Sequence, residues 1–487
     1  MTLNTPHIDW FGLSPVLALI GTSFFALLCA VLVPRTVRRI AAASVWLYVD
    51  SAAGHRVVSD TFYRDRWTAL AQIVICGVGF ATTLVGWEHV ARGNDDHIAE
   101  FFALLLASGA GMAFFVGSAN LMVLFLSLEW FSIALYVMCA IDYDFEGALE
   151  AGLKYLIVGS FGAATLLFGS ALVYGATGKI SFDGIAATIG SQGLAGDTFV
   201  VVGIALIIAG LGFKMSAAPF HMWTPDVYEG APTTVTAFMS AATKVAAFAL
   251  AFRVLRTAFP QEEHLWSWAF AGIAVASLVI GNFAALVQKN VKRILAYSAI
   301  AQAGFMLIGL STGSALGGRA LMYYLIPYSA SAFGSFAIVA ARERELGVPV
   351  TLDNLAGFGW ERPFLGVAMW FFVFGFAGLP LTGGFVGKFY VFAAAYDHGW
   401  AWLVIVGVLA TLVSLYYYLG IVRAMYMRGP EELQLRPGSV AVSGGAPAKE
   451  TLLHLAVGAA LVVAVGSLFA VQPLIDLAQH AASALPV

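Results

Sequence analysis

The feature that most constrains this chain is one kind of segment used over and over. Stretch after stretch holds about 20 mostly apolar residues, the length a helix needs to cross the hydrocarbon core of a bilayer. Fourteen such stretches can be placed, near 13–34, 39–53, 66–87, 98–116, 119–140, 147–175, 199–219, 229–256, 266–287, 291–312, 317–341, 363–396, 400–427 and 451–471. The second is short for a span. In lipid every backbone polar group must be satisfied within the segment, so runs of this length read as helices. The expectation is an all-α polytopic membrane protein with about 14 transmembrane helices. Composition agrees: 60% of the 487 residues are hydrophobic and 11% are charged, against about 25% charged in an ordinary soluble domain.

Several function classes are excluded at this level. A formal charge of −3 leaves no basic surplus to hold nucleic acid. Cys29, Cys76 and Cys139 each stand alone in an apolar run, without the close pairing that metal or iron-sulfur sites need. Neither a dinucleotide-binding glycine fingerprint nor a phosphate loop is present. The chain is therefore expected to carry no cofactor or metal of its own. Its opening residues, MTLNTPHIDWFG, lack the basic region of a signal peptide, so the first apolar run is expected to stay as the first membrane helix.

Orientation follows from Lys and Arg, which short cytoplasmic loops retain. With the N-terminus outside, the inner side receives Arg35, Arg38, Arg39, Arg92, Lys289, Lys292, Arg293, Arg342, Arg344, Arg362, Arg423, Arg428, Arg436 and Lys449. The outer side receives only Arg56, Arg64, Arg66, Lys179, Arg253, Arg256 and Arg319. Both termini are thus expected on the outer side. Residues 428–450, polar and rich in Gly and Pro, read as an inner loop, and 178–197 as a weakly apolar outer loop. The acidic connection Asp142, Asp144, Glu146 reads as solvated, with delivery of protons as its functional alternative.

Four basic residues remain, and all are lysines within spans: Lys154, Lys214, Lys244 and Lys388. A charge at the centre of a membrane helix costs about 2.5–3.5 kcal/mol, so each must face a partner or a wet interior. Glu129, in FLSLEWFSIALY, is the clearest intramembrane acid, with proton transfer or service as a lysine's counter-ion as its two uses. Two spans contain breaks. Pro219, in GFKMSAAPFHMWTP, interrupts the seventh beside Lys214 and His221; Pro380, Gly383 and Gly384, in GLPLTGGFVGKFYVF, interrupt the twelfth beside Lys388. Broken helices at corresponding places point to inverted repeats with a transport path at mid-membrane. The halves are spans 4 to 8 and 9 to 13. Burial and a neighbouring carboxylate pull a lysine's proton affinity in opposite directions, and a lysine between them can load and release a proton. For Lys244 the structural alternative is a buried cation satisfied by Ser240 or by backbone carbonyls. Lys154, near Glu146 and Glu150, can equally sit in a helical salt bridge, and His221 can relay protons or simply be hydrogen-bonded.

Residues 213–248, FKMSAAPFHMWTPDVYEGAPTTVTAFMSAATKVAAF, closely resemble the signature of the antiporter-like membrane subunits of respiratory complex I, the NADH:quinone oxidoreductase. The run from Asp226 to Thr233 and the lysine at 244 are most similar to the subunit N type. SLEWFSIALY around Glu129, GLKYLIVGSF around Lys154, VKRILAYSAIAQAGFM at 291–306 and GLPLTGGFVGKFYVF around Lys388 extend the likeness across 98–427. The resemblance implies a proton-translocating subunit of fourteen helices in the bacterial inner membrane, with two inverted five-helix repeats and no redox centre. Units of 1–97, 98–256, 257–427 and 428–487 follow. It implies Glu129 and Lys214 as a coupled pair, Lys244 as central relay and Lys388 on the outward half-channel, with Lys154 and His221 assisting. NADH, FMN, iron-sulfur clusters and quinone would belong to partner subunits, and the membrane neighbours would be the A, J, K and M types. A subunit of a multisubunit cation/proton antiporter and a non-conducting membrane scaffold are the other readings.

Overall fold

The computed structural model describes residues 55–57, 61–89, 98–427 and 450–485. The first two expected spans, Cys29 and the 428–449 part of the expected inner loop lie outside the described residues, as do Arg35, Arg38, Arg39 and Arg92.

Among the described residues the chain is helical almost throughout. The helices are α1 (Arg66–His89), α2 (Ile98–Val116), α3 (Leu121–Cys139), α4 (Glu146–Thr177), α5 (Phe182–Gln192), α6 (Thr198–Met215), α7 (Trp223–Gly230), α8 (Thr233–Ala258), α9 (Glu263–Leu286), α10 (Val291–Ser311), α11 (Ala315–Leu346), α12 (Phe358–Glu361), α13 (Pro363–Ala377), α14 (Gly383–Asp397), α15 (Ala401–Met427), α16 (Thr451–Phe469) and α17 (Val471–Ala482). Eleven are long and apolar enough to cross a membrane. The expected spans from the third onward fall on these helices within a few residues. The twelfth span is broken as expected, into two half-helices, α13 and α14, of 15 residues each, about 22 Å apiece and each too short to cross alone. The all-α reading also gains a small antiparallel hairpin, β1 (His55–Val57) with β2 (Phe62–Arg64). The expected outer loop contains α5, and α17 follows the last span; both have too few apolar residues in sequence to register as spans.

α8 and α11 lie at the centre, with their apolar windows buried inside the protein, whereas α4, α15 and α16 keep broad outward faces. Those faces carry Phe161, Phe168, Tyr416 and Val462 exposed, as suits a surface covered by lipid or by another membrane subunit.

One local construction occurs twice. Asn120 caps α3 by accepting from the Val123 amide, and Asn290 caps α10 by accepting from the Arg293 amide. Beside the first, Leu121 N donates to Ile180 O and Phe182 N to Ala119 O; beside the second, Val291 N donates to Val350 O and Leu352 N to Lys289 O. α4 and α11, which precede the two returning strands of chain, are 32 residues each. Both end on a glycine in the left-handed region, Gly178 and Gly347, at φ 65°.

Candidate functional site

The site is built on the two breaks. At the first, α6 stops at Met215 and Ser216 turns into the left-handed region at φ 58°; the Ala218–Pro219 bond is cis. Released backbone groups are taken up by protein: Ala217 N donates to Gly212 O, Ala218 N to Ser277 Oγ of α9 at 2.9 Å, and Trp223 Nε1 donates to Phe213 O at 3.2 Å. This is the condition on which lipid-depth irregularity is tolerated.

Lys214 occupies the last turn of α6 and is buried. Its Nζ donates to Ser132 Oγ at 2.6 Å. The rings of Phe131, Tyr155 and Phe213 stand 5.3 Å from it and that of Tyr136 5.6 Å, a four-sided aromatic box within cation–π range. Glu129 lies one turn before Ser132 on α3. It forms no ion pair with Lys214, and its buried Oε1 has no hydrogen-bond partner among the described residues. Ser132, which receives Lys214, is what links the two residues in the fold: it lies three positions beyond Glu129 on the same helix.

Lys244, on α8, is completely buried and donates to Met215 O at 2.7 Å. That carbonyl closes α6 and is one of those a helix end leaves open, at the negative end of the helix dipole. Lys214 and Lys244 therefore meet at neighbouring residues of one helix terminus. His221 lies within the same break, half-buried, with Nδ1 buried and unpartnered among the described residues.

Lys154 is placed elsewhere. Its side chain is 42% exposed and pairs with Glu150 Oε1 at 2.7 Å and Asp226 Oδ2 at 2.8 Å. Asp226 also receives Arg293, at 2.9 Å, and Arg293 in turn reaches Glu229 at 2.6 Å. This chain of charges ties α4, α7 and the first turn of α10 together at the surface. Beside it a cavity of about 360 Å³ is lined by Asp142, Glu229, Thr233, Lys292 and Glu343. Lys292 Nζ donates there to Ala231 O at 2.9 Å, and the Thr233 hydroxyl donates to Glu343.

At the second break α13 ends at Ala377, Gly378 sits at φ 73° and α14 begins at Gly383. Gly383 and Gly384 thus start the second half-helix, and do not form the gap as the sequence suggested. A Cβ on Gly384 would lie 2.1 Å from Gly375 O, so close approach of the two half-helices requires glycine. Lys388 is buried, its Nζ 3.8 Å from the centroid of Phe305 and without a hydrogen-bond partner among the described residues.

Between the breaks lies a set of uncharged polar groups that a search for charge passes over. Tyr328 OH donates to Ser240 O, one turn before Lys244, at 3.2 Å. Gln302 Nε2 donates to Phe376 O at 2.9 Å, beside the second break, and to Tyr418 OH at 3.0 Å. Tyr324 donates to Gln302 Oε1, Ser298 and Tyr418 share a hydrogen bond at 2.5 Å, and Tyr417 OH donates to Asn282 Oδ1 at 3.0 Å. A Cβ on Gly387 would strike the Tyr324 ring, which puts that ring against the helix of Lys388. The available signal was the presence of Ser298 and Gln302 within VKRILAYSAIAQAGFM.

Residues 118–414 match the family described as NADH:quinone oxidoreductase/Mrp antiporter, TM. NADH-quinone oxidoreductase subunit N of Trichlorobacter lovleyi is 40% identical over 374 residues, 77% of each chain. A chain in the structure of respiratory complex I from Thermus thermophilus with bound aureothin is 31% identical, with a TM-score of 0.77 over 95% of this chain and 99% of that one. A chain of the Mrp complex from Dietzia sp. superposes with a TM-score of 0.83 over 100% and 98%, at 22% identity, a likeness of fold.

Proposed function

This chain belongs to the membrane-subunit family shared by NADH:quinone oxidoreductases and Mrp antiporters, and within it to NADH-quinone oxidoreductase subunit N; from that premise we propose that it moves protons across the bacterial inner membrane through its buried lysines, driven by quinone reduction in neighbouring subunits. The observation that carries this reading is the set of buried polar groups lying between the two breaks. Lys214 and Lys244 stand at the first, Tyr328, Gln302, Tyr324 and Tyr418 follow, and Lys388 stands at the second.

In this reading the end of the bundle bearing the Asp226–Arg293 cluster and the 360 Å³ cavity faces inward, and both termini face outward. Lys214 loads under the influence of Glu129. Lys244 receives the proton, and Lys388 delivers it to the outer side. His221 assists from within the first break, and Lys154 assists by tying α7, and hence the break, to α4. NADH, FMN, iron-sulfur clusters and quinone act in partner subunits, and the membrane neighbours are the A, J, K and M types.

The test is Lys244→Met in the assembled complex, with subunit content verified. Quinone reduction and proton uptake by sealed inverted vesicles are measured together. Removing the central relay should lower proton transfer by roughly tenfold or more, the effect of about 1.4 kcal/mol per decade. Pumping at the parental level would overturn the reading and leave a scaffold. The fold likeness to the Mrp complex keeps an autonomous cation/proton antiporter as the second reading; exchange by the membrane part reconstituted without the redox arm would favour it.

A further inference from the structure

α8 is chemically lopsided about Lys244. Toward the cavity it carries Thr233, Thr236, Ser240 and Thr243; away from it, Val245 to Phe252 is an unbroken apolar run, every residue buried. That run ends at Arg253, nine positions beyond Lys244, about 13 Å along the helix. Arg253 is 1% exposed and gripped from both sides of its fork: Nη1 to Asp65 Oδ2 at 2.7 Å, Nη2 to Asp65 Oδ1 at 2.8 Å and to Thr68 Oγ1 at 2.8 Å. The Tyr63 ring lies 4.7 Å from the guanidinium carbon. Trp67 fills the space beside it, donating to Ala249 O at 2.9 Å and stacking on Phe252 at 5.2 Å.

We propose that Arg253, clamped by Asp65, is an electrostatic seal that closes the outward side of the Lys244 segment, leaving the first half of the chain open to the inner side alone. This rests on the reading of Lys244 as the proton relay. A fixed cation in a narrow, dry passage excludes protons, and arginine cannot relay one by deprotonating. Asp65 cannot do so either. Burial raises its proton affinity, but the charge and hydrogen bonds of Arg253 outweigh burial and hold the carboxyl below its ordinary range. As a mere staple the pair would be poorly chosen, because a buried ion pair stabilises no better than well-packed apolar residues. A proton on Lys244 then has one way onward, sideways toward Lys388.

The test uses the assembled complex in sealed vesicles and reads passive proton leak without substrate alongside pumping. Arg253→Gln, which keeps hydrogen-bonding capacity but loses the charge, should raise the leak by about fivefold, and Arg253→Lys, a cation that can deprotonate, should leak more than the parent and less than R253Q. The double variant R253Q/K244M should return to the parental leak, because the leak runs through Lys244. A tight, fully pumping R253Q complex overturns the seal. A K244M complex that pumps normally overturns the relay instead, so the two failures are distinct. If R253Q does not assemble, single cysteines decide. Thr236→Cys should react with a small charged thiol reagent from the inner side and Ala249→Cys from neither; reaction of the latter from outside overturns the seal.

Discussion

The two breaks solve the same problem with opposite means. At the first, each buried ammonium has an acceptor: Ser132 Oγ for Lys214 and the terminal carbonyl of α6 for Lys244. At the second, Lys388 sits in the second turn of α14, near the positive end of that half-helix, and among the described residues only the face of Phe305 receives it. A hydrogen bond to a charged group contributes about 1.5–3 kcal/mol, a cation–π contact about 0.5–2 kcal/mol. In the proposed function the first break would hold a proton and the second give one up. That ordering gives the row a direction, which identical lysine sites would lack.

The sharpest way to break this comparison is to make the first site resemble the second. Ser132→Ala removes the acceptor of Lys214 and leaves only its aromatic box. Proton transfer should fall by roughly tenfold, the equivalent of the lost charged hydrogen bond. Glu129→Gln should fall comparably if Glu129 acts on Lys214, and the S132A/E129Q double should cost little more than either, since substitutions that act on one lysine are not additive. Losses that simply multiply, or an E129Q complex that pumps at the parental rate, would show that Glu129 and Lys214 act independently.

How much of this was legible in sequence follows a physical rule. Lys214, Lys244, Lys388 and Glu129 were conspicuous because a charge in a membrane span is costly. The spans were legible because hydrocarbon demands uniform apolarity over a fixed length. Ser132, Tyr324, Tyr328, Gln302 and Tyr418 were not, because a hydroxyl or amide is cheap enough to occur in any span and gains meaning only through its partner on another helix. Asp65 and Arg253 show the same limit. They stand at the ends of separate spans and read as ordinary boundary charges, and Arg253 was counted as an outer-side cation, although its guanidinium is buried against Asp65. Lys154 is the reverse case, an apparent intramembrane charge that α4 brings to the surface.

A milder change sharpens the second break. Phe305→Leu keeps apolarity but removes the ring beneath Lys388. If the ring contact is what holds the loaded state, transfer should change by about three- to tenfold, in keeping with a cation–π contact of about 1 kcal/mol. Steady-state pumping and quinone reduction in the same vesicles measure it. An unchanged rate would leave Lys388 held by packing alone, its stem lying against Gly378.

The smallest effect is expected at Lys154, and it tests whether the surface cluster is separate from the buried row. Lys154 follows Glu150 at i+4, the favourable order on a helix, and its second partner Asp226 retains Arg293 when Lys154 is removed. Exposed pairs of this kind contribute about 0.2–1 kcal/mol, so Lys154→Ala should leave pumping within about twofold and lower the thermal midpoint slightly. The pH dependence has a definite sign. Burial raises the proton affinity of Asp226, but its bonds to Lys154 and Arg293 outweigh burial and hold it below the ordinary carboxylate value. A group whose folded value is lowered contributes stability above its unfolded value, about 3.9, and loses it as pH falls through the folded one. The parental protein should therefore exceed K154A in thermal stability at pH 7, and the gap should narrow only as pH drops below about 4. Thermal unfolding of the purified complex across that range reads the gap. A loss of pumping as deep as that of K244M would instead put Lys154 in the proton row and merge the two regions into one.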